Sequence, residues 1–168
     1  KNEEAYANVF TVHYPDEERE AGRPLRQAPC YDRLKKLGAV FGAKFGWERA
    51  NFFAKEGEKP KDDWSFRRSN WFKNVENECK NVKENVGLPD MTAFGKCRIK
   101  GPGAEEFLDK LVANNLPKKI GRINLCHALN TKGGVHSEFT IMREAEDSFY
   151  LVSAGAYQRL DHDWIHKW

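Results

Sequence analysis

The stretch INLCHALNTKGGVHSEFTI, residues 123–141, contains two alternating runs separated by a short polar segment. Alternation of apolar and other residues is typical of β-strands that turn one face to a core. The first run has Ile123, Leu125, His127 and Leu129 on one face, and the second has Val135, Ser137, Phe139 and Ile141. The glycines between the runs favour a reversal with positive φ. The stretch therefore predicts a β-hairpin.

Helices and further strands are interspersed on either side of this hairpin. Helical spacing predicts helices over 31–37, over 71–86 with Ser69 or Asn70 as the cap, over 104–112 and over 157–168. Alternation predicts strands over 39–45, 94–99 and 149–153, whereas 47–61 is predicted to be irregular. Hairpins interrupted by helices favour an α+β fold with a mixed or antiparallel sheet and packed helices, since a doubly wound sheet needs strict alternation.

Two regions differ in composition. Residues 14–24 are charged and contain Pro15, Gly22 and Pro24, which is typical of a linker. We therefore predict a connector over 1–27 and a folded domain over 28–168. The chain starts without Met and stops inside a predicted amphipathic helix, so we expect it to be a fragment of a longer protein.

Charge and cysteine spacing exclude several classes of function. The formal net charge is only +3, from 28 basic and 25 acidic residues mixed along the chain, so no nucleic-acid partner is indicated. No apolar run approaches the roughly 20 residues of a membrane span. The four cysteines form no CxxC pair, and we expect them to be reduced and buried, with no metal site. A cytoplasmic or organelle-matrix protein is expected.

The hairpin brings together the side chains that are best suited to metal binding or to acid and base chemistry. His127, His136 and Glu138 are close in its predicted pairing, and two imidazoles beside a carboxylate suit a metal site or an acid and base pair. On the second strand His136, Glu138 and Thr140 are predicted to share a face opposite Phe139. If Phe139 faces the core, Glu138 is either a solvated residue or points into a cleft. The pattern leaves these alternatives open.

Several motifs resemble one family. The stretches that resemble dimethylglycine and sarcosine dehydrogenases are RPLR (23–26), YDRL (31–34), GAKFGWER (42–49), WSFRRSNW (64–71) and GLPDMTAFGK (87–96). The stretches IKGPGA (99–104), LNTKGG (129–134) and FYLVS (149–153) resemble the broader glycine cleavage T-protein (aminomethyltransferase) pattern in the right order. The resemblance covers essentially the whole chain and implies the N-terminal part of that folate-binding fold.

The resemblance also implies a set of site residues. Phe94 would pack against the folate ring, Leu125 and Val152 would form apolar walls, and Tyr150 would lie near the pterin. Glu138 takes the place of the family's acidic residue, usually Asp, close to the reacting nitrogens. The carboxylate of Glu138 would then face a pterin-sized hollow bounded by the other four side chains. Ala154 stands where T-proteins often have an Asn that contacts the pterin.

The function implied by the resemblance is transfer of a one-carbon unit from an oxidised N-methyl amine to tetrahydrofolate. FAD would belong to an oxidase region outside this chain. The parent protein would be an enzyme, located in the mitochondrial matrix if eukaryotic. This fragment alone would be inactive until the rest of its polypeptide or a completing chain is present. The alternatives are a non-catalytic module of this fold for regulation or interaction, and a folate-dependent demethylase.

Overall fold

The computed structural model describes residues 2–168 and contains two compact units, the first ending at Ala93 and the second running from Phe94 to Trp168. The first unit contains α1 (Asn2–Ala7), α2 (Tyr31–Lys36), β1 (Ala39–Lys44), β2 (Trp47–Phe53) and α3 (Trp71–Glu84). The second contains β3 (Gly95–Lys100), α4 (Ala104–Leu111), β4 (Ile123–Leu129), β5 (Val135–Ala145), β6 (Ser148–Ser153), a 3₁₀ turn (Gly155–Tyr157) and α5 (Gln158–Lys167). Within residues 2–168, no helix has the length and apolar character needed to cross a bilayer.

The first unit is organised around an antiparallel hairpin of β1 and β2. Phe45 and Gly46 form its turn with φ values of 53° and 84°, and two consecutive positive φ angles match the twist of a tight hairpin. The prediction of irregular structure over 47–61 was wrong for 47–53, because the chain reverses at Phe45–Gly46 and β2 begins at once, and it is confirmed for 54–61. The predicted strand over 39–45 is confirmed to within one residue at its end.

A buried ion pair attaches the predicted connector to this hairpin. The guanidinium of Arg23 donates to both carboxylate oxygens of Glu48, at 3.0 and 2.7 Å, and to the carbonyl of Phe41 at 2.9 Å. Glu48 is only 5% exposed, and a two-pronged Arg–carboxylate contact of this kind is among the stronger charged hydrogen bonds. Arg23 of the predicted connector thus contacts both strands of the hairpin, and the domain boundary at residue 28 stays a prediction.

Gly38 lies in the turn between α2 and β1, and it provides a test of backbone strain. Its φ is +85°, and a Cβ there would lie 2.9 Å from the carbonyl oxygen of Ala54. We expect Gly38→Ala to destabilise the chain by about 2 kcal/mol, from the left-handed φ plus this contact. Gly57→Ala is the matched control, because Gly57 has a φ of +84° with nothing within 4 Å. Urea unfolding of both variants measures the difference, and equal losses would contradict a role for the Ala54 contact.

Helix α3 forms where predicted, but its apolar stripe is largely solvent-exposed. Asn74 is its one buried residue, whereas Val82 is 61% exposed and Cys79 is also exposed. The expectation of four buried thiols is therefore wrong for Cys79 and holds in full only for Cys126. Cys30 and Cys97 are half-buried, and all four cysteines are free. Asn70 occupies the N-cap position without capping the helix, because its side chain instead bonds the backbone at Lys61 and Asp63.

The second unit is an antiparallel sheet with the strand order β3-β6-β5-β4. One face of the sheet packs against α4 and α5 and forms the core, whose residues include Leu108, Cys126, Phe139, Ile141, Phe149 and Leu151. Each of these six is at most 1% exposed. The predicted α+β class with an antiparallel sheet is confirmed, and the other face of the sheet is free of helices from this unit.

β4 is an edge strand, and the chain just after α4 lies along its outer side. The backbone N–H of Ala113 donates to the carbonyl of His127 at 2.9 Å. The side chain of Asn124 donates to the carbonyl of Asn115 at 2.8 Å. The first bond uses a backbone carbonyl that an edge strand otherwise presents to solvent, and both bonds fix residues 113–115 beside the hairpin.

Candidate functional site

A β-bulge sets the register of the central hairpin. Leu129 pairs with Val135, but the next pair is Ala128 with Ser137, so His136 is an extra residue on β5. Such a bulge reverses which residues point to which side of the sheet. From Ser137 onward, the pairing places Glu138 directly opposite His127. Without the bulge, continuation of the first pairing would place His127 opposite Ser137.

The bulge also separates His136 from Glu138. The ring of His136 stacks on Trp164 of α5 at a centroid distance of 4.0 Å, on the core side of the sheet. Val135, in contrast, is 65% exposed. The predictions that His136 shares a face with Glu138, and that Val135 shares one with Phe139, were therefore wrong. Among residues 2–168, no group of three or more His, Cys, Asp or Glu side chains is arranged to hold a metal ion.

The five residues implied by the resemblance lie on one face of the sheet, opposite the core. Leu125 pairs with Thr140, which pairs with Val152, so these three form a row across the sheet. The neighbouring rows contain Glu138 on one side and Tyr150 on the other. Alternation along the strand places Phe94, just before β3, on this face too. We call this surface the outer face; its predicted ligand residues are Phe94, Leu125, Glu138, Tyr150 and Val152.

The outer face is open rather than a closed hollow. Phe94 is 37% exposed and Leu125 is 53% exposed, and the side chain of Glu138 is 58% exposed. Leu125 and Val152 are two strands apart, a separation of about 10 Å at the usual strand spacing. The structure thus brings the five side chains to one surface, and within residues 94–168 nothing closes that surface over them. Their role as ligand contacts stays a prediction.

Glu138 belongs to a hydrogen-bonded chain of three side chains. Its Oε2 lies 3.0 Å from Nε2 of His127. Nδ1 of His127 lies 3.2 Å from Oδ1 of Asn114, and the same Oδ1 accepts the backbone N–H of His127 at 2.8 Å. The imidazole is therefore held at both ring nitrogens, and the carboxylate is held at one of its two oxygens.

Tyr150 contacts a second polar pair on the outer face, formed by Arg98 and Glu144. The guanidinium of Arg98 lies 5.3 Å from the centroid of the Tyr150 ring, within the range of a cation–π contact. Arg98 is held in turn by Glu144, which accepts from Nε at 2.6 Å and from Nη2 at 2.8 Å. These hydrogen bonds hold the pKa of Glu144 below its usual value. The outer face thus carries the row of Leu125, Thr140 and Val152 between two polar pairs, His127 with Glu138 and Arg98 with Glu144.

Asn114, Arg98 and Glu144 were not predicted as parts of the site. Asn114 lies in a loop without a motif, and it reaches His127 only because residues 113–115 lie along β4. The pairing of His127 with Glu138 depends on the one-residue bulge, which alternation cannot reveal. Arg98 and Glu144 are 46 positions apart in sequence, so only the strand order makes them neighbours.

Comparison with known proteins identifies the family to which this chain belongs. The model of the GCVT N-terminal domain family matches residues 30–168, and that of the FAD dependent oxidoreductase central domain matches residues 1–28. The chain belongs to the GCVT N-terminal domain family. It is similar to the glycine cleavage system aminomethyltransferase T of Bartonella henselae, with a TM-score of 0.68 and 25% identity, over 85% of this chain and 35% of that one.

Two curated relatives show the range of proteins that contain this region. Mitochondrial dimethylglycine dehydrogenase of Homo sapiens is 38% identical over 168 residues, and the match covers 99% of this chain and 19% of the relative. The 4-methylaminobutanoate oxidase (formaldehyde-forming) of Paenarthrobacter nicotinovorans is 32% identical over 159 residues, covering 95% of this chain and 19% of the relative. The chain thus spans about a fifth of the length of the curated relatives that it matches. The predicted resemblance is confirmed at the level of the family.

Proposed function

We propose that the chain supplies the folate-facing sheet of a dimethylglycine or sarcosine dehydrogenase-like protein, which transfers a one-carbon unit from an oxidised N-methyl amine to tetrahydrofolate. The observation that carries the proposal is the outer face, where one carboxylate, Glu138, adjoins the row formed by Leu125, Thr140 and Val152. A flat heteroaromatic ring suits an open, largely apolar sheet surface, and a single carboxylate can recognise its N–H groups.

The residues of the outer face fit such a ligand. Leu125 and Val152 offer apolar contact area, and Phe94 and Tyr150 offer aromatic rings for stacking. Tetrahydrofolate supplies, when bound, two amine nitrogens that accept the one-carbon unit. Oε1 of Glu138 is the oxygen that His127 leaves free, and it would hold an amine N–H and accept its proton. The same negative charge would stabilise a cationic iminium donor.

The parent protein would add the oxidation. FAD would be held by an oxidase region outside these residues, and the match of residues 1–28 to the FAD dependent oxidoreductase central domain supports this arrangement. The names of the two relatives are those of a dehydrogenase and an oxidase. The parent is therefore proposed to be an enzyme, and a mitochondrial matrix location follows only for a eukaryotic source. The partners would be folate and the remaining polypeptide.

A calorimetric titration of folinic acid tests the proposal. We expect the full-length parent protein to bind folinic acid with one site per chain. Because the outer face is open within residues 94–168, the same titration into the 168-residue chain should give weak or undetectable heat. Absence of binding to the full-length protein would overturn the proposed function. Tight binding to the chain alone would contradict the expectation that further residues complete the site.

A further inference from the structure

The hydrogen-bonded chain from Asn114 through His127 to Glu138 assigns a role to a residue outside the predicted site. We infer that His127 is a positioning residue, which fixes the carboxylate of Glu138 and shares one proton with it. This inference rests on the proposed function, because it concerns how the proposed acid is held. Of the five predicted ligand residues, only Glu138 enters this inference.

The protonation of the imidazole follows from its partners. Oδ1 of Asn114 accepts the backbone N–H of His127 at 2.8 Å, which identifies that atom as the amide oxygen. Nδ1 of His127 lies 3.2 Å from this oxygen, so the ring must carry a hydrogen on Nδ1 to bond it. A neutral ring of this tautomer presents a lone pair at Nε2. Asn114 thus determines which ring nitrogen faces Glu138.

The contact between His127 and Glu138 then needs one more hydrogen to form a hydrogen bond. Nε2 and Oε2 are 3.0 Å apart, and two lone pairs cannot form a hydrogen bond. Either an imidazolium donates to a carboxylate, or a carboxylic acid donates to the neutral ring. In both arrangements the pair holds one shared proton. Glu138 can therefore pass a proton to His127 or take one back while its side chain stays in place.

Positioning matters at residue 138 because the side chain is Glu, where the family pattern usually has Asp. The extra methylene adds a rotatable bond, and the side chain is 58% exposed on an open face. The bond from His127 restrains that freedom and leaves Oε1 for a ligand. Misplacement of a reacting group by about 1 Å can cost on the order of a hundredfold in rate, so restraint at this position has a measurable effect.

The test uses the full-length parent protein with dimethylglycine and tetrahydrofolate, and measures the share of product that appears as methylene-tetrahydrofolate rather than free formaldehyde. We expect His127→Ala to lower this share roughly tenfold and to leave the Kd for folinic acid unchanged. His127→Gln should restore much of the loss, because its amide can donate to Oε2. His162→Ala is the matched control, since His162 lies 3.3 Å from a carboxylate of Asp163 but on the exposed side of α5.

A double-mutant cycle separates action through Glu138 from an independent effect. In a Glu138→Gln background, His127→Ala should cause little further loss. An equal loss in both backgrounds, or a silent His127→Ala in a protein that responds to folate, would overturn this inference and leave the proposed function intact. A wild-type protein that neither binds folinic acid nor forms methylene-tetrahydrofolate would overturn both.

Discussion

Glu138→Gln is expected to lower formation of methylene-tetrahydrofolate by the full-length protein on the order of a hundredfold, the usual scale for loss of a general acid or base. The amide keeps the size of the side chain but can neither accept a proton nor neutralise a cationic donor. Oxidation of the amine should continue, because that step belongs to the proposed FAD region. The one-carbon unit should therefore be released as free formaldehyde instead. Trapping of formaldehyde and of methylene-tetrahydrofolate measures the partition between the two products.

The control for this substitution is Glu146→Gln. Glu146 is an exposed carboxylate in the turn after β5, away from the paired rows of the outer face. It undergoes the same chemical change and should leave the partition unchanged. If Glu138→Gln also leaves it unchanged while folate still binds, Glu138 has no part in transfer. That result would favour the alternative of a non-catalytic module with this fold.

Phe139→Ala is expected to destabilise the chain by about 3–5 kcal/mol, the usual cost of removing a buried aromatic side chain. Phe139 is 1% exposed and lies in the core between the sheet and its helices. Domains are commonly stable by only about 5–15 kcal/mol, so much of the folded population should be lost. Urea unfolding followed by circular dichroism measures the effect.

Phe10→Ala is the matched control for that measurement. Phe10 is 97% exposed, so the same truncation removes almost no buried surface, and its effect should stay within about 0.5 kcal/mol. A loss below about 1 kcal/mol for Phe139→Ala would contradict the assignment of this sheet face to the core. It would also undermine the assignment of Glu138 to the opposite face, since the two residues are adjacent on β5.

The fold was predictable from sequence wherever one periodicity persisted. The hairpin of β4 and β5 and helix α4 follow from alternation and from helical spacing, and the predicted helix over 31–37 forms as α2. β2 was missed because its start depends on two consecutive positive φ angles at Phe45 and Gly46. A residue other than glycine seldom adopts such an angle, so the pattern gave no reason to expect the reversal there.

The candidate site was predictable only in part. The five residues that the resemblance implies do lie on one face, and their contact with folate stays a prediction. His136 was placed on the wrong side, because alternation assumes an unbroken strand and one extra residue reverses it. Asn114 could not be predicted for a different reason. A loop residue joins a site through tertiary contacts, and a single sequence does not show such contacts.

The segment 113–115 has a consequence for self-association. A bare edge strand can recruit a strand from another molecule, which is a common route to aggregation. Ala113 and Asn114 already occupy the carbonyl and the N–H of His127 on the free side of β4. A second copy would have to displace this segment before it could add a strand to the sheet at β4. The loop that orients His127 therefore also disfavours self-association at this sheet edge.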